Sequence, residues 1–335
     1  GRSQTAGEGS ETFDTTAETE AETSVFDGLP EKDFEGKDFN FAFRTDQEYQ
    51  FYTDSLDGEI INDSVYERNQ IVENKYNIKI KPIPIVGDWD NRDAFLKTLK
   101  AAVMAGDGAF DLVDGYAAYI GTIFTDNLLL NLNTIAHLRL SKPWWSQFAV
   151  EELTVNGKLF AIPGDLSLNL WKYMQVLYLN KTVLADYKRP EPYDLVKSGT
   201  WTYDAYLSLI KDIYSDLDGD STVSQGDRFG SIYYDDLTFD NFHNAFNIMY
   251  TKKNDDGTRE LLLNTDEIIQ MYELINELAY SNPDVLFIKD NGQQPCLQIF
   301  TSDRALIYAS TLTDAEIMRT MDSDFGIIPY PKLNE

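Results

Sequence analysis

Between Asp38 and Gly115 the spacing of apolar residues switches from period two to helical and back, twice, and this alternation most restricts the folds open to the chain. Asp38-Phe-Asn-Phe-Ala-Phe-Arg-Thr45 alternates as a strand does. Ile61 to Tyr76 then carries apolar residues at helical spacing, and Asn77 to Ile83 is a second strand. Asn91 to Met104 reads as an amphipathic helix stopped by Gly106-Asp-Gly108, and Phe110 to Gly115 as a short third strand. Strands separated by helices of this length cannot be hairpins, so they imply crossover units and a parallel sheet. In open sheets of this kind ligands lie beyond the carboxyl ends of the strands. That rule brings Arg44 and Thr45, Asp88 and Trp89, and Gly115 and Tyr116 to a common edge.

A second α/β region follows from about Gly157. Lys158 to Pro163 and Trp171 to Tyr178 read as strands, and Thr202 to Tyr214, Leu237 to Met249 and Asp266 to Tyr280 as helices. The strands Ala305–Ala309 and Phe325–Pro329 flank a short helix after Thr313. At 335 residues the chain exceeds the size at which a single core stops growing, so two lobes are expected. No internal repeat is evident, and no stretch approaches the roughly 18 apolar residues of a spanning helix.

The opening segment, residues 1 to about 36, is rich in Thr, Glu and Ser and poor in apolar residues. It cannot bury enough surface to offset its ordering entropy, so it is expected to be a disordered acidic tether. The net charge of −28 repels nucleic acid and anionic lipid and keeps the protein soluble. The lone Cys296 excludes an intrachain disulfide, and His137 and His243 stand far apart without a catalytic pattern. No Gly-x-Ser-x-Gly, His-Glu-x-x-His or phosphate-loop pattern occurs.

One motif is sharp. Asp216-Leu-Asp-Gly-Asp-Ser-Thr-Val-Ser-Gln-Gly-Asp227 places carboxylates at positions 1, 3, 5 and 12 of an EF-type calcium loop. Asp216, Asp218, Asp220 and Asp227 are the expected carboxylate ligands of a structural Ca2+, with the Thr222 carbonyl and a water on Ser224 completing the set. Val223 occupies the usual inward apolar eighth position. Ser221 replaces the glycine of position 6 and Asp227 the more common Glu of position 12. The competing reading is an acidic, helix-terminating turn.

Several segments, in order, resemble the family 1 extracellular solute-binding proteins of ATP-driven importers. Val155-Asn-Gly-Lys-Leu-Phe-Ala-Ile-Pro-Gly164 looks like the family's "gly-lys-leu-tyr-ala-ile-pro" hinge segment. Tyr178-Leu-Asn-Lys with Leu184, and Pro190 through Thr200-Trp-Thr-Tyr-Asp204, are similar to its crossing strand and the helix start after it. Ser302-Asp-Arg-Ala-Leu-Ile-Tyr-Ala309 and Phe325-Gly-Ile-Ile-Pro-Tyr-Pro331 resemble its last strands. Gly58 to Asn69 and Lys142-Pro-Trp-Trp145 look like a branch common in Clostridia.

The resemblance implies a two-lobed, hinge-bending fold of the type II periplasmic-binding-protein kind, each lobe a mixed sheet flanked by helices. It implies lobe one over residues 37–157 plus about 300–335, lobe two over 158–299, and a second lobe left incomplete at Glu335. It further implies a monomer on the outer face of a bacterial membrane, held by an N-terminal lipid anchor preceding Gly1. The expected partners are a polar solute, chiefly a sugar or oligosaccharide, and the transmembrane permease subunits.

A sugar needs flat apolar faces for its C–H surface and planar polar groups for its hydroxyls. The candidates at strand ends and hinge loops are Arg44, Trp89, Tyr116, Asp165, Trp171, Tyr308 and Thr311. Trp144 and Trp145 read as core. Two other classes stay open: a secreted glycosidase with its carboxylate pair hidden among 56 acids, and a calcium-stabilised surface adhesion module.

Overall fold

The structure is a computed structural model that describes residues 26, 28–126, 128–235 and 237–335. The first lobe holds the parallel crossover units. Strand β1 (Lys37–Arg44) pairs along its whole length with β2 (Ile78–Ile85), from Lys37↔Ile78 to Arg44↔Ile85, and on its other side with β3 (Leu112–Val113). Because β1 is central, its end is buried from both faces, and Phe41, Ala42 and Phe43 are each at most 5% exposed. Strand β2 is an edge, which is where Pro82 and Pro84 are tolerated, since neither can donate to a ladder.

The helix between β1 and β2, Ile60–Tyr76, is capped by the Glu59 carboxylate on the Asn62 amide and ends at Asn77 in the left-handed conformation. The next helix, Arg92–Ala105, buries Phe95 and Leu99 and stops at Gly106, φ +64°. Both apolar residues join a core with Tyr119, Ile120 and Ile123.

The second lobe is built on five strands: β4 (Gln175–Asn180), β5 (Phe229–Tyr234), β8 (Val285–Ile288), β9 (Ala305–Thr311) and β10 (Phe325–Ile328), in the order β10-β4-β9-β5-β8. Strand β4 is antiparallel to both neighbours, whereas β5 runs parallel to β8 and β9. A separate hairpin, β6 (Thr251–Lys253) with β7 (Arg259–Leu261), docks on the helix Gln147–Leu153 through an Arg259–Glu152 ion pair at 2.8 Å. One face of the large sheet packs Leu177, Leu179, Tyr206, Tyr233, Phe242 and Ile307; the other packs Tyr178, Phe229, Ile232, Phe300 and Tyr308.

Four expectations change. Residues 300–335 do not return to the first lobe: β9 is hydrogen-bonded between β4 and β5 and β10 on β4, so both complete the second sheet. Lys158–Pro163 is not a strand, because Leu159 finds its backbone partners in Asn131 and Leu132 of an irregular segment. Trp171 to Tyr178 becomes strand only at Gln175, after a helical turn over Asn169–Lys172. Of the tether, residues 1–25 and 27 lie outside the described residues, while Phe26 and residues 28–36 pack on the first lobe. The Phe34 amide donates to the Tyr76 carbonyl at 2.9 Å, and Phe26 meets the Tyr76 ring edge-on.

Candidate functional site

The carboxyl edge of the first sheet gathers residues from three loops. The Arg44 guanidinium, at the end of β1, donates from Nε to Asp46 at 3.0 Å, makes a second, closer contact to the same carboxylate, and lies 5.1 Å over the Tyr116 ring. Tyr116 follows β3 and packs edge-on against Trp89 from the loop after β2, with centroids 6.4 Å apart. Trp89 is 56% exposed and Tyr116 41%. The three candidates Arg44, Trp89 and Tyr116 thus share one edge, as open-sheet topology requires.

Tyr119 ties the same loops together from below, donating its hydroxyl to the Gly87 carbonyl at 2.5 Å. Gly87 and Gly115 are required here by close approach rather than by backbone angle. A Cβ at Gly87 would fall 2.5 Å from the Phe95 ring, and one at Gly115 2.6 Å from Ile120.

Two carboxyl groups at this edge escape sequence patterning. Asp46 sits in the 3-10 turn Thr45–Gln50, where burial works against its charge but the hydrogen bonds of Arg44 and Gln47 hold it below the usual range. Asp114 directly follows β3, and burial pushes its carboxyl up to about 6 against the opposing attraction of Arg44.

The same turn carries a clasp between the lobes. The buried Gln50 accepts at Oε1 from the Ser167 hydroxyl (3.0 Å) and the Asn169 amide (3.2 Å), and donates to Gln47 at 3.1 Å. Gln47 in turn accepts from the Asn169 side chain, and the Tyr49 hydroxyl donates to Asn169 Oδ1 at 2.7 Å. Lys172 lies 4.7 Å over the Tyr49 ring. Its carbonyl accepts from the Thr313 amide beyond β9, which carries the connection into the second sheet.

Around this clasp the hinge exposes Trp171 (58%) and Tyr173 (54%), with Asp165 also exposed. Trp171 and Asp165 are thus solvent-accessible in the segment that carries the clasp. Trp145 is partly buried, donating its indole N–H to the Leu138 carbonyl at 2.7 Å, and Trp144 lies under Arg139.

Two candidates do not reach a ligand. Tyr308 has no exposed surface: it stacks on Tyr178 and donates its hydroxyl to Asp314 at 2.6 Å inside the second lobe. Thr311 is 8% exposed, and its carbonyl accepts from Tyr178. Both stand on β9, whose seven residues are all buried because the strand is central and covered on both faces.

The acidic loop brings together Asp216, Asp218 and Asp227, with one carboxylate oxygen from each within 4.8 Å of the others. Asp227 is fully buried and anchors the loop, accepting from the Leu217 amide (3.2 Å) and the Ser224 amide (2.9 Å). The Ser221 and Gly219 amides hold the Asp216 carboxyl below its ordinary range. At Asp218 the Asp220 amide pulls the same way, but desolvation and repulsion from Asp220, Asp227 and Asp216 outweigh it and raise the carboxyl. Ser221 at position 6 adopts φ +61°, the left-handed turn that glycine normally supplies there. A Cβ at Gly226 would crowd Asp218 Oδ2 at 2.7 Å.

This all-oxygen donor set and its mutual repulsion fit a hard divalent cation. Asp220, Thr222 and Ser224 stand outside the three-carboxylate group, Asp220 and Ser224 serving the loop backbone through Thr222 and Gly226. Val223 is 61% exposed rather than turned inward. The loop leads into strand β5 instead of a second helix, so nothing covers its eighth position.

No protein-family model and no curated protein matches the chain. Solved structures do. A cyclo/maltodextrin-binding protein complexed with maltotetraose is 16% identical over 89% of this chain and 66% of its own, with a TM-score of 0.60. An extracellular solute-binding protein from Staphylococcus aureus in complex with maltose is 13% identical over 88% and 66%, TM-score 0.58. M. tuberculosis UspC is 14% identical over 89% and 69%, TM-score 0.57. The chain thus spans about two thirds of the length of these structures. It has the α/β fold of the two-lobed solute-binding proteins, with sheets flanked by helices. Among the described residues no helix is long and apolar enough to cross a membrane.

Proposed function

We propose that this protein captures a sugar or oligosaccharide between its lobes and delivers it to the membrane subunits of an ATP-driven importer. The observation that carries this reading is the paired, half-exposed Trp89 and Tyr116 rings set beside the Arg44–Asp46 pair at the carboxyl edge of the first sheet. Flat rings cover the C–H face of a sugar, and planar charged groups take its hydroxyls. The Gln50–Asn169 clasp beside that edge is the kind of interlobe contact a closing cleft makes and breaks. The similar structures with maltotetraose and maltose support a carbohydrate as the solute.

As part of the same reading, the protein works outside the cell as a lipid-anchored monomer and binds without turnover. Its acidic loop holds a structural Ca2+ through Asp216, Asp218 and Asp227, with Asp220, the Thr222 carbonyl and Ser224 drawn in as the loop closes on the ion.

A thermal-shift screen with a panel of oligosaccharides, followed by chromatography of the mixtures, tests this. A rise in melting temperature with one ligand class and no hydrolysis is expected. Turnover of any member would instead make the protein a glycosidase, and a shift with calcium but with no sugar would make it a structural module.

A further inference from the structure

Among the described residues, the buried carboxylates Asp284, Asp314 and Asp227 each have several donors, whereas the half-buried Asp114 at the carboxyl edge of the first sheet has few. Asp284 accepts from the amides of Asp212, Ile213 and Tyr214 at 2.7–2.8 Å. Asp314 accepts from Tyr308, Ser310 and Gln293. Asp227 accepts from two amides and the Tyr214 hydroxyl. Asp114 is partly buried, and among the described residues no side chain donates a hydrogen bond to it, the Gly115 amide being the one donor that favours its charge. A half-buried carboxylate with so few protein donors keeps lone pairs free for a hydroxyl that a ligand brings.

Its position fits that role. The Asp114 amide donates to the Ala42 carbonyl at 2.8 Å, which sets the residue at the carboxyl end of the sheet, next to Arg44 and two residues before Tyr116 in sequence. The charged and titratable groups facing it are Arg44 from β1, Asp46 from the following turn and Tyr119 beneath. The cations of this edge are already engaged: Arg44 by Asp46 and the Tyr116 ring, and Arg92 by the Trp89 carbonyl (2.6 Å) and the Trp89 ring (4.6 Å). Among the described residues the edge therefore offers an accepting carboxylate beside cations that are already paired, in a chain of net charge −28.

We propose that Asp114 is a ligand-binding and specificity-determining residue, accepting a hydroxyl of an uncharged polyhydroxylated solute and turning away solutes that carry carboxylate, sulfate or phosphate. This rests on the carbohydrate reading above. Burial, which lifts its carboxyl to about 6, also makes the acceptor titrate within reach of mild acid.

The test pairs each neutral oligosaccharide of a panel with its uronate or sulfated counterpart, using calorimetry on the wild type and on Asp114→Asn, which keeps the side-chain shape. The expected result is binding of a neutral member in preference to its anionic counterpart, with Kd raised about tenfold or more by Asp114→Asn, as loss of a hydrogen bond to a charged acceptor requires. Wild-type affinity should fall between about pH 7.5 and about pH 5, and the variant should lack that fall. Nuclear magnetic resonance of the Asp114 carboxyl carbon should show its titration midpoint lowered by ligand, because a hydroxyl donor favours the ionised form. Preferential binding of an anionic member, or a neutral ligand whose affinity ignores Asp114→Asn, overturns the assignment and leaves the carbohydrate reading intact. A panel with no binder at all overturns that reading, and this role with it.

Discussion

The Arg44 guanidinium spans two loops at once, gripping Asp46 on its own strand end while lying 5.1 Å over the Tyr116 ring that follows β3. A cation sandwiched this way fixes the tilt of Tyr116, and Tyr116 in turn supports Trp89 edge-on. The aromatic surface at the carboxyl edge of the first sheet is thereby held in one arrangement.

Removing that surface should damage binding and spare folding. Tyr116→Ala and Trp89→Ala should each weaken sugar affinity by several-fold to about tenfold, since each removes one stacking face. Both side chains are about half exposed, so the urea midpoint should stay near the wild type. Calorimetry with the panel's best ligand, beside a urea melt, checks both halves.

The clasp predicts the opposite balance. Gln50→Ala strips the acceptor from the Ser167 hydroxyl and the Asn169 amide in a buried place, at a cost of about 1–3 kcal/mol. If the clasp holds the lobes together, the variant should also show a larger radius of gyration by small-angle scattering. An unchanged urea midpoint would count against the clasp.

For the acidic loop, calcium should raise the melting temperature and chelator should lower it. Asp218→Asn relieves the repulsion that raises its neighbour-crowded carboxyl, so it should lose most of the calcium response while leaving the chelated protein as stable as the wild type. A calcium-dependent shift that survives in Asp216→Asn and Asp218→Asn would mean the ion sits elsewhere.

Asp114 also makes a signed prediction about pH. Its folded pKa, near 6, lies above the ordinary value of 3.8, so between these values the folded state holds a proton that the unfolded chain has released. This group therefore favours folding as pH falls through about 6 and opposes it above. Without ligand, Asp114→Asn should melt at a higher temperature than the wild type near neutral pH, and the gap should close as pH approaches about 4. A variant less stable than the wild type at neutral pH contradicts this.

The first lobe was the more legible part. Period-two spacing in Asp38–Thr45, helical spacing in Ile61–Tyr76 and the glycine stop after Met104 are local signals, and the helix and strand positions they give agree closely with β1, β2 and the helices between. Strand β5 was missed because Phe229-Gly-Ser-Ile-Tyr-Tyr234 is buried on both faces and shows no alternation. Its Gly230 is there because a Cβ would run into the Ile210 carbonyl, a contact that no local pattern displays. Strand β8 escaped in the same way, being a short apolar run, and the helix Gln293–Thr301 escaped because its apolar face spans only Cys296 to Phe300.

At the carboxyl edge of the first sheet, residue type and strand-end position were enough to bring Arg44, Trp89 and Tyr116 together. They were not enough to exclude Tyr308 and Thr311, because a tyrosine in a central strand and one at a cleft look alike in sequence. Asp46, Gln50, Asp114 and Asn169 carried no motif, and only their three-dimensional neighbours give them roles.

The sequence by itself determined the parallel crossover units and which strand ends share one edge of the first sheet, since both depend on spacing within a few residues. Tertiary structure alone decided that β9 and β10 complete the second sheet, that Gln50 and Asn169 come together, and that Asp114 is half buried beside Arg44. These are outcomes of strand pairing and desolvation between segments as much as about a hundred residues or more apart, and spacing along the chain does not encode which buried group will meet which.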